Sequence, residues 1–357
     1  MTGTGEAVAV AGVPGARGAD GLPRHGVSRE VFRAIAGARG GPGAVRLLRA
    51  GQLSKRALLL LALRREAPED EGYAEAYARV CELRGADRAR WEEVLLRPEL
   101  DAWAADRLRA LKAGEDVSLG GLAEFAASRP GEAFDLECDG LRWRPVLDHA
   151  GPRLVHYGRP TGPLDEGELA EWHSALAEAW SILVRRHPWH APAVAACVGV
   201  LVPLRPAPGG EAVSAAARRA YGAVAASLPT EPVLLALALV HEFLHVQLGA
   251  LLDLVPLHRP NGDAVYHAPW RPDLRPVGAL LQGTYAHLGV ADFWAAESAA
   301  GQSEPDRAAR ECSLWRGHTS AAGRTLLESG ELTEQGREFT EELLCSLGRL
   351  GDSAANR

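Results

Sequence analysis

His241-Glu242-Phe243-Leu244-His245 spells H-E-x-x-H: two imidazoles four residues apart, with a carboxylate beside the first. On a helix, positions i and i+4 share a face, so both rings can reach one metal ion. The flanks favour that helix. Residues 233–240 and 246–254 contain no proline and a single glycine, and they are apolar on nearly every side. A helix of this kind belongs in a core, with its metal-binding face turned to a pocket.

Two histidines do not make a stable protein site, so a third ligand is required. His258 and His267 lie in a loop, where an imidazole usually faces solvent. His287 and Glu297 fall in the next helical stretch. His287 ranks first among the four, because a polar ring on an otherwise apolar helix is costly unless it is ligated or hydrogen-bonded. The competing reading of His287 is a core histidine bonded to a backbone carbonyl.

The metal decides what Glu242 does. A zinc peptidase would use Glu242 as general base on a metal-bound water. Neither the H-E-x-x-H-x-x-G-x-x-H extension nor a downstream N-E-x-x-x-E is present to complete such a site. An iron(II) oxygenase needs three protein ligands on one face and open positions for a co-substrate and dioxygen.

A second block is Ala268-Pro269-Trp270-Arg271-Pro272-Asp273-Leu274-Arg275-Pro276. Its three prolines fix φ and oppose helix, which leaves Arg271 and Arg275 on a stiff loop. A guanidinium fork matches a carboxylate, so either arginine could hold a dicarboxylate co-substrate. Pairing with Asp273, Asp253 or Glu242 is the structural alternative.

Other elements must position these groups. Residues 1–27 read as a flexible tail rich in Gly, Ala and Val. Residues 28–128 read as a bundle of about five helices, with Ser28 as an N-cap, a Leu stripe over 45–64, and helices over 73–83 and 91–111. Residues 129–357 read as a small sheet packed with helices. Asp139-Gly140 between two alternating runs predicts a hairpin. Residues 154–157 and 194–202 are expected as strands, the latter buried, and 220–224 as another. Helices are expected over 169–184, 277–296, 307–327 and 333–347. The predicted class is α+β, mostly helical, with an N-terminal helical bundle followed by a metal-binding domain.

Composition narrows the partners. The 357 residues carry a net charge of −7 with arginines scattered rather than clustered, which points away from nucleic acid. No run of eighteen apolar residues escapes interruption by charge, so neither a membrane span nor a membrane partner is expected. No secretory signal pattern is present. The five cysteines, Cys81, Cys138, Cys197, Cys312 and Cys345, are far apart and read as free thiols of a cytoplasmic protein. No Walker loop or G-x-S-x-G elbow occurs.

Taken together, the blocks resemble a known family. His241-Glu242-x-x-His245 is followed by Leu248-x-x-Leu251-Leu252-Asp253-Leu254 and then by residues 268–276. After these come Leu281-Gln282-Gly283-x-Tyr285-Ala286-His287-x-x-Val290-x-x-Phe293-Trp294. That series resembles the HExxH-type peptide β-hydroxylases of ribosomal peptide natural-product biosynthesis. Leu47-x-x-Ala50-Gly51-Gln52-Leu53-Ser54-Lys55-Arg56 resembles the family's opening helices.

The resemblance implies an iron(II) centre that uses 2-oxoglutarate and O2 to hydroxylate a β-carbon in a precursor peptide. Other modification enzymes of the same pathway would be possible partners. It implies His241, His245 and His287 as ligands and Arg271 or Arg275 as the co-substrate clamp. Glu242 would then act outside the ligand shell, with Tyr285 as a further catalytic candidate. Two alternatives stand beside it: the zinc peptidase, and a non-catalytic precursor-binding subunit with a structural metal.

Overall fold

The computed structural model describes residues 25–127, 131–149, 158–260, 264–301 and 305–355. The fold is α+β and mostly helical, with a small mixed sheet. The expected strand at 154–157 lies outside the described residues, as does most of the tail.

Six helices open the described chain: α1 (Arg29–Ala36), α2 (Pro42–Glu66), α3 (Glu71–Ala86), α4 (Arg88–Leu95), α5 (Pro98–Lys112) and α6 (Gly121–Ala127). Ser28 caps α1 as expected, its side chain accepting from the Val31 amide. The single helix expected over 91–111 is broken in two, because Pro98 cannot continue α4 and instead starts α5 at its first turn.

The sheet elements follow. They are β1 (Glu132–Ala133), β2 (Leu136–Cys138), β3 (Leu141–Trp143) and β4 (Val146–Leu147). Next come α7 (Glu166–Arg186), α8 (Ala191–Cys197), β5 (Val200–Pro203), β6 (Ser214–Ala215) and β7 (Ala223–Ala226). The hairpin forms where Asp139-Gly140 places it. Cys138 pairs with Leu141, and both turn residues have positive φ, +47° and +81°, the geometry that asks for Asp-Gly. The strand expected over 194–202 is half helix: Pro192 and an alanine-rich run start α8, and only Val200–Pro203 extends.

Five strands form one sheet in the order β1-β4-β5-β7-β6, parallel across β4, β5 and β7 and antiparallel at both edges. Helix α9 (Pro232–Leu252) leaves β7 and packs on it. By length and composition α9 could cross a membrane, yet 67% of its most apolar window is buried inside the protein, so here it serves as a core helix. The short pair β8 (Val265–Tyr266) and β9 (Arg275–Pro276) leads into α10 (Val277–Ala300). Helices α11 (Pro305–Glu328) and α12 (Glu334–Ala355) close the chain.

Two main apolar clusters organise the packing. The larger runs from Val27 through α1, the first half of α2, α7, α9 and α10 to Leu347. The smaller holds the second half of α2 with α3 to α6. Apolar packing therefore divides inside α2 and not at residue 128, because Val45 and Leu48 face the larger cluster while Leu60 and Leu63 face the smaller.

Candidate metal centre

The site forms where α9 and α10 lie unusually close. A Cβ on Gly289 would stand 2.1 Å from Leu244 Cδ1, so a larger residue there would force the Leu244 side chain to shift. The contact brings the His241–His245 face of α9 to His287 on α10. His241 Nε2 and His245 Nε2 are 3.2 Å apart, and the His241 and His287 ring centres are 5.1 Å apart.

Hydrogen bonds set the tautomers. His287 Nδ1 lies 2.7 Å from the Gly283 carbonyl, to which it donates, and His245 Nδ1 lies 3.2 Å from Gln282 Oε1. Both bonds leave Nε2 carrying the lone pair, the arrangement by which outer partners orient metal-bound histidines. His287 is further clamped between Trp270, 4.3 Å away, and Trp315, stacked at 4.5 Å and 8°. Gly283 makes room for Trp270, since a Cβ there would sit 2.5 Å from the indole.

Burial keeps all three rings neutral. It pushes the His287 pKa down to about 3 against the pull of the Gly283 carbonyl, and it lowers His245 despite the Gln282 bond. For His241, burial acts first and the neighbouring His245 and His287 add to it. Neutral imidazoles are the form that binds metal.

Among the described residues, no three His, Cys, Asp or Glu side chains form a ready-made cage. The spacing of His241 and His245 nonetheless fits an ion. Two nitrogens at ~2.1 Å from one metal stand roughly 3.0 to 3.4 Å apart for right-angle to tetrahedral geometry. Without an ion, one proton closes the same contact, His241 Nε2–H donating to His245 Nε2.

A cavity of about 610 Å³ opens on these rings. His241, His245 and His287 line it together with Trp270, Arg271, Arg275, Gln282, His258 and Arg218. Both arginines of the proline-rich block thus reach the site, and both also share Asp273: Arg271 Nε donates to Oδ1 at 2.5 Å and Arg275 Nη1 to Oδ2 at 3.2 Å. Both the cavity placement and the structural pairing therefore hold for each.

Glu242 is buried beside the cavity and does not line it. Its Oε1 accepts from Ser214 Oγ on β6 at 2.7 Å and lies 4.0 Å from His241 Nε2. Burial pushes its carboxyl up to about 7, with the Ser214 bond pulling the other way.

Two candidates need correction. Tyr285 is not placed for catalysis: fully buried on another face of α10, its hydroxyl lies 2.7 Å from both the Ile35 carbonyl and Gln247 Oε1. Two residues from His287 is a turn of about 200° on a helix, which carries Tyr285 away from the cavity. Glu297 is not placed as the third ligand, since its carboxylate is taken by Arg186 Nη1 at 2.8 Å and His187 Nε2 at 2.9 Å. Trp294, the last residue of the quoted motif, lines a different groove beside Arg307. Of the loop histidines, His258 lines the cavity and His267 is exposed away from it.

Four participants escaped the sequence. Gln282 stood in the quoted motif without a role. Ser214, Trp315 and Arg218 come from segments with no motif. Only tertiary packing brings the last two to the site.

No protein-family model matches this sequence, and no curated protein matches it significantly.

Proposed function

We propose that this chain is an iron(II)- and 2-oxoglutarate-dependent hydroxylase acting on a β-carbon of a ribosomally made precursor peptide. The observation that carries the reading is the meeting, on one cavity wall, of three neutral imidazoles and two guanidinium groups. The peptide substrate and the β-carbon come from the family resemblance of the sequence blocks.

His241, His245 and His287 would hold the ion through Nε2. Bound iron(II) with 2-oxoglutarate would supply the oxidising chemistry, in which O2 becomes one substrate hydroxyl oxygen and one oxygen of succinate, with loss of CO2. Gln282 Oε1 and the Gly283 carbonyl hold the Nδ1 protons and thereby fix ring orientation. Arg271 and Arg275, braced by Asp273, offer forks for the co-substrate carboxylate. Trp270 covers His287 and excludes water from that side. Glu242 holds the Ser214 hydroxyl at Oε1 from outside the cavity wall.

A zinc peptidase is the second reading. It is favoured by a Glu242 carboxyl tuned to about 7, which suits a general base, and opposed by the Ser214 bond that occupies it. The deciding experiment is anaerobic. Apo-protein receives iron(II) and then 2-oxoglutarate while visible absorbance is followed. The proposal expects a weak charge-transfer band that needs both components. No band, with stoichiometric zinc and peptide cleavage abolished in Glu242→Gln, would replace it with the peptidase.

A further inference from the structure

Arg218 stands at a junction. It lines the histidine cavity and also a neighbouring cavity of about 330 Å³ whose walls include Pro98, Ala102 and Asp106 of α5. Ala217 is shared by both as well, so the two spaces adjoin across one short backbone segment.

The arginine is held from behind. Its Nη2 donates to Asp253 Oδ1 at 2.8 Å, at the C-terminal end of α9. Asp253 Oδ2 accepts from Gln52 at 2.8 Å and from Lys55 at 3.0 Å, both on α2. Lys55 also reaches Asp101 of α5 at 2.8 Å. Three helices thus brace one guanidinium, yet that group spends a single nitrogen on Asp253 and makes no other described bond. Among the described residues, no Asp or Glu lines the histidine cavity, in a chain whose net charge is −7. The smaller cavity is lined by Glu99, Asp106 and Arg219 as well, and Asp106 pairs with Arg219 at 3.2 Å and with Arg109.

We infer that Arg218 is a specificity residue: it anchors an acidic side chain of an extended peptide that runs from the α5 cavity into the histidine cavity. The inference rests on the peptide-modifying reading above. The acidic residue sits at the junction, where Arg218 is the charged side chain common to both cavities. An Arg–carboxylate pair discriminates by charge and fork geometry, which a glutamine isostere cannot match.

The test uses the full chain without metal or co-substrate. A randomised dodecapeptide library on beads is selected for binding, and the best acidic binder is remade with its Asp or Glu changed to the amide. Fluorescence anisotropy then compares both peptides on the wild type, Arg218→Gln and Arg218→Lys. The expected result is enrichment of Asp and Glu at one position. The acid should bind about tenfold tighter than the amide, and Arg218→Gln should abolish that ratio while Arg218→Lys partly keeps it. No acidic enrichment, or a ratio unchanged in Arg218→Gln, overturns the inference. The readout needs no iron, so an absent charge-transfer band would remove the proposed chemistry while leaving the acidic anchor standing.

Discussion

Helix α10 borders two buried histidine clusters that solve the same problem in opposite ways. At one, His187 Nε2 meets Glu297 Oε1 at 2.9 Å and His190 Nε2 meets Asp292 Oδ2 at 2.8 Å. Arg186 and Arg39 complete the charge balance, Arg39 with a two-pronged bond to Asp292 at 2.6 and 2.9 Å. At the other, His241, His245 and His287 face each other and a cavity lined, among the described residues, by no carboxylate. The first cluster is closed, its polar groups consuming one another. The second holds its rings neutral beside a cavity, with His241 and His245 bonded to each other and His245 and His287 bonded to Gln282 and the Gly283 carbonyl. Buried titratable groups that line a cavity are candidates for function, while those closed off by ion pairs serve architecture.

The comparison breaks first at a ligand. His245→Ala should weaken binding of one divalent ion by at least about a hundredfold, more than losing a mere outer partner costs. His187→Ala should leave that affinity unchanged. Anaerobic titration calorimetry with iron(II) on both variants reads the difference.

The closed cluster should answer in stability. Burial alone would raise the Asp292 carboxyl, but His190 and Arg39 outweigh it and hold the group well below the usual carboxylate range. A carboxyl depressed in the folded state contributes stability that is full above its unfolded value near ~4 and drains away as pH falls below it. Asp292→Asn strands Arg39 and His190 and should cost about 3 kcal/mol at pH 7. The deficit should shrink as urea melts are repeated toward pH 3.

Finer changes sharpen the contrast. Gln282→Ala removes the Nδ1 partner of His245 and should weaken metal binding by about tenfold without lowering the melting temperature of the metal-free protein. Tyr285→Phe should cost roughly 1 kcal/mol of stability through its lost hydrogen bond and leave turnover unchanged, as unfolding curves and 2-oxoglutarate consumption would show.

What the sequence disclosed follows the range of the interactions. The i, i+4 histidines, the Asp-Gly hairpin and the Ser28 cap are local patterns, and each was legible. His287 could be picked because a polar ring amid Leu281, Leu288 and Val290 is a conflict visible in one helix. Glu297 and Tyr285 posed the same conflict and resolve it differently, through Arg186 and His187 from α7 and through Ile35 from α1. Those partners lie more than a hundred residues away, and no spacing rule reaches them. The break at Pro98 was missed because apolar periodicity outweighed proline, and the helix at Ala191 because the continuous apolar run over 194–202 suits a buried strand equally well. The division of the core inside α2 was hidden for a different reason: a helix that serves two cores shows one continuous stripe.

The central claim is that the open cluster, and not the closed one, takes the metal. An anomalous difference map at the iron edge, from crystals grown anaerobically with iron(II), tests it most directly. One peak roughly 2.0 to 2.2 Å from Nε2 of His241, His245 and His287 is the expected result. A peak beside His187 and Glu297, or none at the three histidines, would contradict the account.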